Sequence, residues 1–174
     1  MRITIDGIPS DKIQLTTTRL KLYSDGSSRG NPGRGGWGCV ILPSGSDRIE
    51  CYQGYRMTTN NRMELLGVIT PLELIKDQGI QCQVMICSDS RYVCDAVNKG
   101  WIKGWLRRGW VTASKTPVKN KDLWLRMLGV IQYHSTRFVW VKGHNEHPMN
   151  EYADILANQG VLSPDLINDN GFQG

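Results

Sequence analysis

Four acidic residues spread along the chain, Asp25, Glu64, Asp89 and Asp154, could act together. Asp25 follows the alternating run Leu20-Lys21-Leu22-Tyr23-Ser24, which reads as a β-strand. A turn-forming stretch, Gly26-Ser27-Ser28-Arg29-Gly30-Asn31-Pro32-Gly33, comes after it. The reading therefore puts a carboxylate at the carboxyl end of a strand, where open α/β sheets place ligands. Glu64, Asp89 and Asp154 each begin or lie in segments able to reach the same place. Four carboxylates in one pocket repel one another unless a cation is present. Oxygen-only donors suit a hard divalent ion such as Mg²⁺, with Mn²⁺ as a substitute. Taken singly, each is a surface carboxylate or a helix cap, and Asp89 beside Ser90 has an obvious capping alternative.

The positioning elements follow from periodicity. Leu20 to Ser24, Trp37 to Leu42 and Ile49 to Tyr55 read as three strands, and their short Gly/Pro/Asn/Ser connections imply antiparallel neighbours. Met63-Glu64-Leu65-Leu66, continued by Val68, Ile69, Leu72 and Ile75, predicts a helix carrying Glu64 on its first turn. Pro71 inside it predicts a kink between Gly67 and Pro71. Val84 to Cys87 predicts a buried fourth strand that feeds a helix starting near Ser90. The crossover helix lets this strand lie parallel to the first, so Asp25 and Asp89 share one edge of the sheet. Trp101 to Arg107 reads as a short helix and Arg108 to Asn120 as irregular. Asp122 to His134 reads as a helix capped by Asn120 or Asp122, Phe138 to Val141 as a fifth strand, and Pro148 to Gln159 as a last helix ended by Gly160. The result is a single α/β domain over residues 19–160 with a five-stranded mixed sheet. Residues 1–18 form an extension, either an edge strand or loose, and residues 161–174 form a tail.

Composition sets outer bounds. The chain has 174 residues, 40% hydrophobic and 21% charged, enough for one domain with a real core. No apolar run approaches the length of a membrane span, and residues 1–7 lack the apolar stretch of a secretory signal. Five cysteines without C-x-x-C spacing point to buried thiols in a reducing cytoplasm. Net charge is +5, and no Asp or Glu occurs from Ala96 to Lys121. That stretch is either a docking face for a polyanion or a solvated basic face.

Five motifs then occur in order: Asp25-Gly-Ser-x-x-Gly-Asn-Pro-Gly33, Thr58-Thr-Asn-Asn-Arg-Met-Glu64, Ser88-Asp-Ser-Arg-Tyr-Val93, Trp140-Val-Lys-Gly-His-Asn-Glu-His-Pro-Met-Asn150, and Asp154. Together they resemble type I ribonuclease H of the bacterial kind, over roughly Leu20 to Gly160. The resemblance implies the ribonuclease H-like fold and an endonuclease acting on the RNA strand of RNA–DNA hybrids, monomeric and cytoplasmic. It implies that Asp25, Glu64, Asp89 and Asp154 hold two Mg²⁺ ions, with Asp25 bridging them. Such a pair can serve both ends of an in-line displacement, leaving a 3′-hydroxyl and a 5′-phosphate. His144 would aid proton transfer or product release, as an imidazole can near neutral pH. His147 has the same chemistry, and only motif position separates them, whereas His134 reads as structural.

Gly26, Asn31, Thr59, Asn60 and Asn61 resemble the family's substrate floor, although Gly and Asn are also plain turn formers. Trp101, Lys103, Trp105, Arg107 and Arg108 resemble its basic protrusion, which grips the DNA strand. Trp110 is divided between that role and core packing. Arg91 stands where many bacterial members carry glutamine, which adds a charge beside the acidic cluster and either strengthens a phosphate contact or alters the substrate fit. Two rivals remain on the page. A non-catalytic hybrid-binding module would lack the metal ligands, and a DNA-directed nuclease or strand transferase of the same fold would lack the basic protrusion.

Overall fold

The computed structural model describes residues 1–5, 7–143 and 147–174. The chain runs through β1 (Arg2–Ile5), β2 (Ile8–Ser10), β3 (Arg19–Arg29), β4 (Gly33–Pro43), β5 (Ile49–Thr58), α1 (Asn60–Asp77) and β6 (Gln83–Ser88). It continues through α2 (Arg91–Asn98), α3 (Trp101–Arg107), α4 (Lys121–Tyr133), β7 (Ser135–Trp140) and α5 (Pro148–Leu162). One mixed sheet has the order β2-β1-β5-β4-β3-β6-β7. The strands β3, β4 and β5 are antiparallel, because their links are too short for a crossover. The long crossover through α1 makes β6 parallel to β3, and α2 to α4 do the same for β7 against β6.

The expected five strands are β3 to β7. The sheet has two more, because the N-terminal extension folds back as β1 and β2 against β5. Ile3 and Ile13 of this extension are buried in the main core. The period-2 pleat divides β4 between two layers. Cys39 and Ile41 join the large core with Leu65, Ile69 and Leu72 of α1 and with Trp124 and Met127 of α4. Val40 joins a smaller cluster with Ala153 and Leu156 of α5. The five cysteines are all buried free thiols.

The element bounds depart from expectation in three informative places. First, β3 continues to Arg29, so Asp25 lies inside a strand opposite Gly38 instead of at its end. Its parallel neighbour stops sooner, with Tyr23↔Cys87 as the last parallel pair, so Asp25 still stands just beyond the edge that β6 leaves. Second, α1 already starts at Asn60, ahead of Met63, and runs through Pro71 to Asp77. Third, α5 runs past Gly160 to Leu162, and Gly160 serves packing, not helix termination. A Cβ there would sit 2.7 Å from the Gln53 carbonyl oxygen.

Candidate metal centre and nucleic-acid face

Three segments deliver the carboxylates. Asp25 sits on β3 and is 8% exposed, with the backbone N–H of Gly26 donating to its Oδ1 at 3.0 Å. Glu64 sits just past the first turn of α1, a helix that Thr59 caps by accepting from the backbone N–H of Arg62 at 3.4 Å. Gly26 lets that turn approach, because a Cβ there would lie 2.5 Å from the Glu64 backbone nitrogen. Asp89 follows β6 and precedes α2, whose cap is Ser90 accepting from Val93 at 3.2 Å. Capping therefore falls to Ser90, and the Asp89 carboxylate remains available. Carboxylate oxygens of Asp25, Glu64 and Asp89 all lie within 4.8 Å of one another.

The electrostatics show how unfavourable this cluster is without a cation. Burial, then the charge of Asp89, then Asp154 push the Asp25 carboxyl up to about 8. Burial, then Asp25 and Asp89, hold Glu64 well above the usual carboxylate range. Glu64 Oε2 is also a buried acceptor with no hydrogen-bond partner among the described residues. Buried acceptors normally have partners, and an orphan between two further carboxylates fits a hard divalent cation. The donor set present thus suits Mg²⁺ or Mn²⁺. Asp154 on α5 is not part of the group within 4.8 Å but is close enough to raise the Asp25 carboxyl, and Asn158 donates to its carbonyl at 3.0 Å and to its Oδ1 at 3.3 Å.

The other expected residues divide into structural and exposed groups. Asn31 accepts from the backbone N–H of Asn60 at 3.1 Å, so Asn31, Thr59 and Gly26 all organise the start of α1. Asn60 is half-buried and Asn61 is exposed. Asn31, Thr59 and Asn61 line a groove of about 710 Å³ together with Lys119 and Lys121. On α3, Trp101 is 41% exposed, and Lys103, Arg107 and Arg108 are exposed as well. Trp105 is different: it is half-buried and packs on Trp124 at 5.3 Å and on Trp110 at 6.2 Å between ring centroids. It therefore supports the protrusion from beneath. Arg91 is exposed and stacks on Trp140 at 3.9 Å. His144 lies outside the described residues. His134 is buried, accepts from the Cys82 N–H through Nδ1 at 3.1 Å and donates through Nε2 to the Leu72 carbonyl at 2.9 Å.

Arg62, next to the substrate-floor residues, gives no signal in sequence beyond its place in the Thr58 to Glu64 motif. Its guanidinium is buried, donating to Asp169 at 2.6 and 2.8 Å and to Asp122 at 2.7 and 2.9 Å. Burial disfavours its charge, but the bonds to Asp122 and Asp169 outweigh this and its pKa is raised. This pair of forks joins the start of α1 to the start of α4 and to the C-terminal tail.

The RNase H family model matches residues 17–162. A ribonuclease H of Nitratidesulfovibrio vulgaris is 46% identical over 159 residues, covering 91% of this chain and 99% of that protein. A ribonuclease H of Alcanivorax borkumensis is 49% identical over 140 residues, covering 80% and 89% respectively. Among solved structures, LC9-RNase H1, described as a type 1 RNase H with the type 2 active-site motif, is similar with a TM-score of 0.74 and 32% identity, covering 86% of this chain and 74% of that one. LC11-RNase H1, solved in complex with an RNA/DNA hybrid, has a TM-score of 0.62 at 25% identity, covering 83% and 99%.

Proposed function

The chain belongs to the RNase H family and is a ribonuclease H enzyme, and from that premise we propose how its residues cut the RNA strand of an RNA–DNA hybrid. The observation that carries the reading is the trio of the buried Asp25 and Glu64 and the half-buried Asp89, converging within 4.8 Å with one oxygen orphaned. These three, with Asp154 beside them, would hold two Mg²⁺ ions. When bound, such a pair supplies an activated water and a stabilised leaving oxygen, giving 3′-hydroxyl and 5′-phosphate ends. The protein's own part is positional. The strand β3 and the N-terminal part of α1 fix Asp25 and Glu64, and burial excludes the water that would otherwise screen their charge.

Discrimination between RNA and DNA needs contacts to 2′-hydroxyls across the wide minor groove of the hybrid. Asn60 and the exposed Asn61, together with the backbone around Gly26, would make them. Trp101, Lys103, Arg107 and Arg108 on α3 would hold the DNA strand by charge and stacking. His144 would move a proton or release product. We read the enzyme as a cytoplasmic monomer, and no described helix is long and apolar enough to cross a membrane. The test is a cleavage assay on labelled hybrid, double-stranded RNA and double-stranded DNA, each with Mg²⁺ or with EDTA. Hybrid cleavage that EDTA abolishes is expected. Equal cleavage of double-stranded DNA, or cleavage that survives EDTA, would contradict the reading.

A further inference from the structure

Trp140 makes two contacts that the sequence motif does not explain. Its indole N–H donates to the Asp89 backbone carbonyl at 3.0 Å. Its ring carries the Arg91 guanidinium, whose Cζ lies 3.9 Å from the ring centroid. The strand β7 supports both, with Trp140 opposite Ser88 at the end of β6 and the Val141 N–H donating to the Ser88 carbonyl at 2.9 Å. One half-buried side chain thus touches the backbone of Asp89, a member of the acidic trio, and the exposed Arg91 two residues further on.

We propose that Trp140 is a positioning residue that fixes Asp89 with its N–H and holds Arg91 with its face as a clamp for one phosphate of the substrate strand. The chemistry follows from the guanidinium plane. Stacking uses the face of that plane and leaves the in-plane N–H donors free for a bidentate phosphate contact. Stacking also removes side-chain freedom before the phosphate arrives, so less is lost on binding. A lysine cannot do both, because its ammonium has no plane. Glutamine at this position would keep a hydrogen-bonding group and lose the charge. Because Asp89 and Arg91 share one support, the phosphate clamp and the metal-facing carboxylate keep a set spacing.

The inference rests on the hybrid-cleaving reading, and its test is chosen to fail separately from it. Binding of labelled hybrid is measured in EDTA as a function of salt, and Mn²⁺ binding is measured by calorimetry without hybrid. Arg91→Gln should weaken hybrid binding about threefold to tenfold at 0.1 M salt and lower the salt slope by about 0.9, the value for one phosphate. Arg91→Lys should keep most of the slope and still lose affinity. Trp140→Phe keeps a ring and loses the N–H, so Mn²⁺ affinity should fall about threefold to tenfold. In a Trp140→Leu background the further loss from Arg91→Gln should largely vanish. An equal Arg91→Gln loss in both backgrounds would overturn the clamp, and unchanged Mn²⁺ affinity in Trp140→Phe would overturn the tie to Asp89. Should Trp140→Leu not fold, full replacement of Arg91 by lysine would overturn the stacked fork. A wild-type chain that binds hybrid but does not cut it would count against the hydrolytic reading while leaving this cycle readable.

Discussion

Removing one charge from the acidic trio should stabilise the metal-free protein, although it destroys the site. In Asp25→Asn the side chain keeps its shape and its contact to the Gly26 N–H loses only charge assistance. The Asp25 carboxyl rises from 3.8 to about 8 on folding, mainly through burial and then through Asp89. A folded-state pKa above the unfolded one means that this group's contribution is fully present below about pH 4 and is lost as pH rises through about 8. Converted at about 1.36 kcal/mol per pH unit, that range sets a ceiling of roughly 6 kcal/mol on the cost of ionising Asp25 without a cation. The charge of Asp25 also raises Glu64, so one substitution should recover a fraction of this cost, about 1–3 kcal/mol. For a chain of this size that is a gain of roughly 3–10 °C in Tm. The assay is thermal unfolding in EDTA at pH 5 and pH 8 for the wild type and Asp25→Asn. The variant should melt higher at pH 8, by much less at pH 5, and lose its advantage when excess Mg²⁺ stabilises the wild type. Equal melting of the two proteins at pH 8 would refute the reasoning, since the trio would then carry no repulsion for a cation to relieve.

Other perturbations address separate parts of the molecule. Asp169→Ala removes one of the two forks that hold the buried Arg62, and should cost about 2–4 kcal/mol in urea unfolding; a loss under about 0.5 kcal/mol would mean that the tail does not brace α1. Burial lowers the pKa of His134, whose ring is held neutral between Cys82 and Leu72, so the stability it contributes is present above about pH 6.5 and is lost as pH falls below that value. Titration of its ring by NMR should give a midpoint under 6.5, and one at or above 6.5 would contradict the assigned contacts. Neutralising Lys103, Arg107 and Arg108 together should reduce the salt slope of hybrid binding by about 2–3, and an unchanged slope would show that α3 does not meet phosphate.

Much of the site was legible because it is built from local signals. The apolar run Val84 to Cys87 and the apolar spacing after Met63 each leave a pattern within a few residues, and they put Asp89 between a strand and a helix and Glu64 near a helix start, as in β6, α2 and α1. The end of β3 was not legible. Asp25 to Arg29 has no apolar alternation, and the strand persists there because β4 pairs with it residue by residue, a long-range backbone interaction. The N-terminal strands were left open for a similar reason, since a four-residue strand is decided by whether an edge is available to receive it. Arg62 was invisible because its partners Asp122 and Asp169 are 60 and 107 positions away. Trp101 and Trp105 share a helical spacing, yet only Trp101 is exposed. Trp124 on α4, which buries the face of Trp105, cannot be paired with it from sequence.

The most direct measurement is anomalous scattering from crystals of the enzyme grown with Mn²⁺. Peaks should appear at oxygen-ligand distance, about 2.0–2.2 Å, from the Asp25, Glu64 and Asp89 carboxylates, and should be lost in Asp25→Asn. Density elsewhere, with those three side chains left unligated at saturating Mn²⁺, would contradict the metal centre from which the catalytic reading is built.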